Sequence, residues 1–183
     1  MNTSHAFVST TDDYARTTTT GDDASATTSG YSSRATTSGD CANVTTAGKY
    51  ARATTTGDYA HAATTGDYAH AATTGQRAPA TAVGGFAHAA TTGDYAHATT
   101  AGNDAHATTT GYSAHATATG ANSIAAAFGA NSAARAANGG FIVLAQYDED
   151  TVVAVKTAQV GRDGIKPDTW YTLSPTGEFV EAE

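Results

Sequence analysis

The sequence predicts an all-β protein: a two-sided β-solenoid followed by a small C-terminal β domain. Three observations predict it. Glycine recurs every nine residues, at 21, 30, 39, 48, 57, 66, 75, 84, 93, 102, 111, 120 and 129, with no insertion or deletion. Within each nonad small residues alternate with tolerant ones, which is the period of a strand packed on one face. Composition then changes near Asn138-Gly139-Gly140, beyond which lie the only two leucines, Leu144 and Leu173. A fixed short period over most of a chain is the signature of stacked repeats.

The repeat comes first. Fourteen nonads fill residues 12–137, and units 57–65 and 66–74 are identical, GDYAHAATT. Counting from the glycine, the fourth residue is Ala or Ser. The sixth is Ala except for Thr17 and Val44, and the eighth is Thr or Ala. These three positions are expected to point inward. Positions three, five and seven vary among Tyr, His, Arg, Asp, Asn and Thr and are expected to point outward. Glycine opens the turn, where positive φ or close backbone approach is needed. A helix is the competing reading, since Ala favours helices, but a glycine in every nonad and repeated Thr-Thr pairs oppose it.

One nonad supplies a strand of about five residues and a turn, too little for a full coil. Two nonads make a flat 18-residue coil, so about seven coils are expected, stacked at about 4.8 Å per strand into a rod of roughly 30–35 Å. Alternate units should then carry different columns, and they do. At position five, odd units read Arg16, Arg34, Arg52, His70, His88, His106 and Ile124; even units read Ser25, Asn43, His61, Pro79, His97, His115 and Ala133. The calcium signature of nonapeptide rolls, GGxGxDxUx, does not occur.

The C-terminal segment, 139–183, reads as two hairpins. Phe141–Tyr147 alternates apolar residues, turns at Asp148-Glu149-Asp150, and returns along 151–160. A turn is expected at Gly161-Arg162-Asp163-Gly164. Trp170–Leu173 and Glu178–Val180 then flank the turn Ser174-Pro175-Thr176-Gly177. A core of Ala and Thr is thin, and exposed coil ends need covering. Phe141, Val143, Trp170, Tyr171 and Phe179 are therefore expected to cap the last coil or to join copies in a homo-oligomer.

Composition removes several functions. Charged residues are 14% of the chain, and 17 acids against nine bases give −8. Direct nucleic-acid binding would need clustered Lys and Arg, which are missing. Cys41 is the lone cysteine, so no disulfide framework is expected. No run of about 20 apolar residues marks a membrane span. The start, MNTSHAFVST, lacks a basic and apolar leader, which favours an intracellular protein.

The pattern A-x-A-x-T-x-G-x-x, together with GIKPDTWYTL and GEFVEAE, resembles a loose family of phage and prophage nonapeptide-repeat β-solenoid proteins. Elongated β-helical phage proteins include inhibitors of bacterial defence that mimic DNA, of the anti-CRISPR kind. The resemblance thus implies a host protein or ribonucleoprotein complex as partner, in the host cytoplasm.

The residues themselves offer four chemistries. Catalysis needs unlike groups converging in a pocket, whereas a solenoid repeats one group per column, so no enzyme and no cofactor is expected. His70, His88 and His106 form a column that could share a metal ion, as could His97 and His115, but tandem duplication yields such columns without a ligand, and no metal is assigned. Stacked imidazoles should resist protonation, because each charge disfavours the next. Asp22, Asp40, Asp58 and Asp94 are expected to line one edge, and a rigid file of carboxylates can occupy a groove built for phosphates. The Arg16, Arg34, Arg52 column should dilute that field. Tyr50, Tyr59, Tyr68 and Tyr95, beside Phe86, are candidate interface anchors. Outward Thr-x-Thr pairs, Thr18/Thr20, Thr54/Thr56, Thr108/Thr110 and Thr117/Thr119, raise ice binding as a third option, broken by Ala63, Ala72 and Ala90. The leading expectation is a partner-binding inhibitor that mimics DNA. The alternative is a structural or adhesive oligomeric rod of a phage tail, hence of the virion, or of a cell surface.

Overall fold

The structure, a computed structural model, describes residues 6–162 and 164–182. Asp163, in the expected turn, lies outside the described residues. Strands numbered in chain order alternate between two sheets. The first sheet stacks β1 (Phe7–Thr10), β3 (Ser25–Ser29), β5 (Asn43–Ala47), β7 (His61–Thr65), β9 (Ala80–Val83), β11 (His97–Ala101), β13 (His115–Ala118) and β15 (Ala133–Ala136). The second stacks β2 (Arg16–Thr20), β4 (Arg34–Ser38), β6 (Arg52–Thr56), β8 (His70–Thr74), β10 (His88–Thr92), β12 (His106–Thr109), β14 (Ile124–Ala127) and β16 (Phe141–Asp148). Pairing within the repeat is parallel with residue i opposite i+18, as in Arg34↔Arg52 and His97↔His115. The chain is the two-sided solenoid that the nonad predicts.

The solenoid makes about eight turns rather than seven. Strand β1 precedes the first glycine-marked unit, yet Phe7 pairs with Ser25 in the same register. Its segment keeps Ala6 and Thr10 at the fourth and eighth positions, so the strand survives where the glycine signal does not. At the other end β16 adds a last parallel strand, Ile124↔Phe141. That step is 17 residues, because Asn138, Gly139 and Gly140 make a turn shorter by one.

The inward positions are the fourth, sixth and eighth. Ala24, Ala26 and Thr28 are buried in one unit; Ala60, Ala62 and Thr64 in another. Many turns, the run from Gly21 to Gly66 among them, are closed by the fourth residue's N–H donating to the glycine carbonyl, as Ala51 does to Gly48 at 3.2 Å, while Ala105 and Ala114 donate to the Ser123 and Ser132 hydroxyls of the next coil. The third residue of the turn has φ near +57° and the second does not have positive φ, as a type II turn requires. The glycine is irreplaceable for a separate reason. A Cβ on Gly75 would sit 2.1 Å from the Gly57 carbonyl oxygen of the coil before, closer than any real contact. Coils therefore stack at backbone distance along both edges.

The C-terminal hairpins extend the sheets. β17 (Thr151–Gln159) pairs antiparallel with β16 and forms the last strand of the second sheet. β18 (Tyr171–Leu173) joins β15 at Ala134↔Tyr171, and β19 (Phe179–Glu181) pairs with β18. Ile142, Leu144, Val160, Ile165 and Tyr171 are buried against the terminal alanines, so large side chains close this end of the core. Tyr171 Oη accepts from the Lys166 N–H at 2.9 Å, and Lys166 Nζ pairs with Glu181 at 2.6 Å. At the opposite end β1 and β2 are the last strands of their sheets among the described residues, and Phe7 is 70% exposed.

Candidate functional site: two unlike edges

The turns of even units form one edge and those of odd units the other. Asp22, Asp40, Asp58 and Asp94 all lie on the even edge, at the second turn position. Their carboxylates already have partners. Each Oδ1 accepts the backbone N–H of the residue 18 further on: Asp22 from Asp40 at 3.3 Å, Asp40 from Asp58 at 3.0 Å, Asp58 from Gln76 at 2.8 Å and Asp94 from Tyr112 at 2.9 Å. The motif recurs on the odd edge, where Asp13 accepts from Tyr31, Asp67 from Gly85 and Asn103 from Ala121. Asp at this position therefore satisfies a turn amide that the ladder leaves over. Asp22, Asp40 and Asp58 remain exposed, so three consecutive coils each hold one charge in a fixed place before Gln76 interrupts the file.

The four candidate tyrosines divide between the edges. Tyr59 and Tyr95 stand on the even edge with the acids, and Arg77 lies between their rings at 5.7 and 5.6 Å, donating from Nη1 to Tyr59 Oη at 2.7 Å. Tyr50 and Tyr68 stand on the odd edge in an unbroken aromatic ladder, Tyr14, Tyr31, Tyr50, Tyr68 and Phe86, with successive ring centroids 5.7, 5.5, 5.1 and 5.0 Å apart. Lys49 Nζ lies 5.5 and 5.6 Å from the Tyr50 and Tyr68 rings. Tyr50, Tyr68 and Phe86 stack face to face, whereas Tyr14, Tyr31 and Tyr50 meet edge to face. Tyr31 and Tyr112 occupy the second turn position and were not among the candidates; each swings into the aromatic column next to its own turn.

The arginine column sits where it does not neutralise the Asp file. Arg16, Arg34 and Arg52 begin their strands directly after the odd-edge turns. The even edge is bordered instead by Thr20, Ser38 and Thr56 on one side and by Ser25, Asn43 and His61 on the other, all uncharged apart from the imidazole. The expected dilution of the acidic field is thus weaker than the linear sequence suggests, because the solenoid places the two columns across its width.

His70, His88 and His106 stack on the second sheet with centroids 4.9 and 5.0 Å apart, and His97 and His115 on the first at 4.9 Å. The His70 and His88 rings are 7° from parallel, which sets their in-plane lone pairs side by side rather than converging on a point. Among the described residues no group of three or more His, Cys, Asp or Glu is placed to hold a metal ion. Burial lowers the pKa of His70, with Arg52 adding to it, and lowers His88, which His70 and His106 depress further. His97 is lowered by burial; His115 by burial, then by His97 and Arg135.

The five cap candidates have distinct places. Phe141 and Val143 belong to the last coil, Tyr171 is buried in the core, and Phe179 packs against it. Trp170 covers the outer face of the first sheet, 4.8 Å from the His115 ring and 4.6 Å from the Arg135 guanidinium. Val152, Val153 and Val155 of β17 form an exposed apolar group at this end, where Phe141 and Val180 are less exposed. On the second sheet Thr18/Thr20, Thr36/Ser38 and Thr54/Thr56 form three consecutive outward hydroxyl rows, after which Ala72 and Ala90 interrupt the column. Thr108/Thr110 follow on the same sheet, while Thr117/Thr119 lie on the first.

No protein-family model, curated protein or solved structure matches this chain.

Proposed function

We propose that the protein is a non-catalytic binding rod that inserts its even, acidic edge into the basic groove of a nucleic-acid-binding complex, acting in a host cytoplasm as an inhibitor of defence. The observation that carries this reading is the file Asp22, Asp40 and Asp58 on three consecutive coils, each pinned by a turn amide, with the arginine column across the rod. Carboxylates fixed in advance lose little freedom on binding, and their combined field steers a cationic groove toward them. Asp23 thickens the charge at the lower end, whereas Arg77 interrupts it above Asp58. The acidic face is therefore strongest over the first three coils.

The hydrogen-bond ladder makes a clean test available. Asn103 shows that an amide oxygen serves the ladder as well as a carboxylate. The triple variant Asp22→Asn, Asp40→Asn, Asp58→Asn removes three charges and keeps the geometry. Displacement of duplex DNA from a purified RNA-guided effector complex is the assay. The native protein should displace DNA in a salt-dependent manner, and the triple variant should not, at unchanged melting temperature. Equal displacement by both proteins, or none by either, would sink the reading.

A structural or adhesive rod is the second reading, favoured by Val152, Val153 and Val155, each about half exposed on the free side of β17. There the three Asn changes should leave function intact, while Val153→Lys should break assembly.

A further inference from the structure

The odd edge carries the largest exposed aromatic feature of the molecule. Five rings follow one another over five coils, each between 38% and 72% exposed. A continuous aromatic strip of this kind is unusual on a surface that meets only water. Its charges follow an order. Reading along the second turn position, Asp13 is negative, Tyr31 neutral, Lys49 positive, Asp67 negative and Gly85 neutral, with the Arg16, Arg34 and Arg52 column beginning just beyond the turns.

We infer that this edge is a two-fold interface between two copies of the chain, packed antiparallel with the aromatic ladders face to face. The charge order fits a second, antiparallel copy, and the aromatic strip favours one register: an axis at Tyr31 also pairs unlike charges, Asp13 with Lys49, but brings only three aromatic rungs together. With a perpendicular two-fold axis midway between Lys49 and Asp67, Lys49 of each copy faces Asp67 of the other, giving two opposite-charge pairs at the centre. Tyr50 then opposes Tyr68, and Tyr31 opposes Phe86, so four aromatic rungs meet on both sides. Sliding one copy by a single coil sets Lys49 against Lys49 or Asp67 against Asp67. A two-fold axis parallel to the rod does both at once. An isologous contact must be self-complementary in this way, and like charges across an interface are strongly disfavoured. The ladder spacing also matches without error, because both copies share one coil repeat. Phenol edges surrounding a central ion pair are the aromatic and cationic anchors that interfaces favour.

This inference is independent of the proposed inhibitory function, and it leaves the acidic edge of each copy facing outward. A dimer would present two such edges on opposite sides.

The test is sedimentation and light scattering on the full chain at micromolar concentration, with circular dichroism as the control for folding. The native protein should have twice the 18.3 kDa mass of the chain. Lys49→Asp should weaken the dimer at least about tenfold by placing acid against acid. Combining Lys49→Asp with Asp67→Lys should restore it, since the pairs are only exchanged. Each change introduces a residue that the same turn position already holds in another unit, so folding should be retained. The inference fails if the native protein is a monomer, if Lys49→Asp leaves the dimer intact, or if the exchanged variant remains as weak as the single one. It also fails if Val153→Lys with Val155→Lys dissociates the dimer while Lys49→Asp does not, which would place the contact on β17.

Discussion

At the scale of single residues, the repeat is a set of local solutions to problems that stacking creates. The third turn residue has φ between 50° and 63° in every unit, although only Asn and Asp among its occupants tolerate that region well. Tyr, Arg, Phe, Ser and Cys accept a cost of about 1–2 kcal/mol there. Tyr and Phe recover part of it by stacking on the next coil, but exposed Cys41 has no ring to stack. Cys41→Asn, which copies Asn122 and Asn131, should therefore stabilise by about 0.5–1 kcal/mol in urea unfolding. The second turn residue gives a contrast within one site. Asp58→Asn keeps the bond to the Gln76 amide and should be neutral, whereas Asp58→Ala orphans that amide and should cost about 1 kcal/mol. The inward Thr column is different again. Thr73 Oγ1 donates to the Ala78 carbonyl at 2.9 Å, but the buried hydroxyls of Thr46, Thr55, Thr64 and others have no hydrogen-bond partner among the described residues. Val has the same shape without the desolvated hydroxyl, so Thr46→Val should raise the melting temperature. A fall in melting temperature would show that the hydroxyl is satisfied.

At the scale of elements, strand boundaries follow from the nonad, and the turn glycine enforces them. Gly75→Ala should unfold the coil locally or cost several kcal/mol, because the added carbon meets Gly57 backbone that cannot move without parting two coils. Loss of the 18-residue register, seen as lower protection from hydrogen exchange in strands either side of residue 75, is the measurement. The last rung uses another strategy. Ile142 and Leu144 replace alanine at the inward positions of β16 and are almost fully buried. Leu144→Ala should cost about 2–5 kcal/mol, far more than truncating any inward side chain of the Ala and Thr coils, where there is little to remove. Both C-terminal hairpins were legible from alternating apolar residues and polar turns, Asp148-Glu149-Asp150 and Ser174-Pro175-Thr176-Gly177. Their attachment was not: the Ala134↔Tyr171 pairing joins residues 37 apart and has no local pattern.

At the scale of the whole molecule, the solenoid turns columns in the sequence into surfaces with different chemistry. Its response to acid belongs here, since four lowered histidines lie on both sheets. A group whose pKa is lower folded than unfolded binds protons better in the unfolded chain, so its contribution to stability is complete above about pH 6.5 and declines as pH falls. The melting temperature should be level from pH 8 to 7 and drop between about 6.5 and 5. His88→Asn should reduce that drop, because it removes the imidazole that burial, His70 and His106 together hold below its ordinary range. A flat profile in the native protein would refute the role of the ladder. The two edges are the other whole-molecule property, one acidic and ordered by backbone amides, one aromatic with a single Lys and Asp at its centre.

The sequence by itself determined the architecture: strand, turn, inward face and coil length all follow from a nine-residue period, because stacking repeats every local choice at the same height. It also determined which strand residues share a column, since partners within the repeat are 18 apart. Only the tertiary structure decided what the columns mean. Closing each pair of nonads into a flat coil put the Asp file and the Arg column on opposite sides, although they alternate along the chain. It divided the tyrosines into two ladders and recruited Tyr31 and Tyr112 from a neighbouring position. It also gave each Asp an amide partner a full coil away. These are relations across 18 residues and across the width of the rod, and no local propensity encodes them.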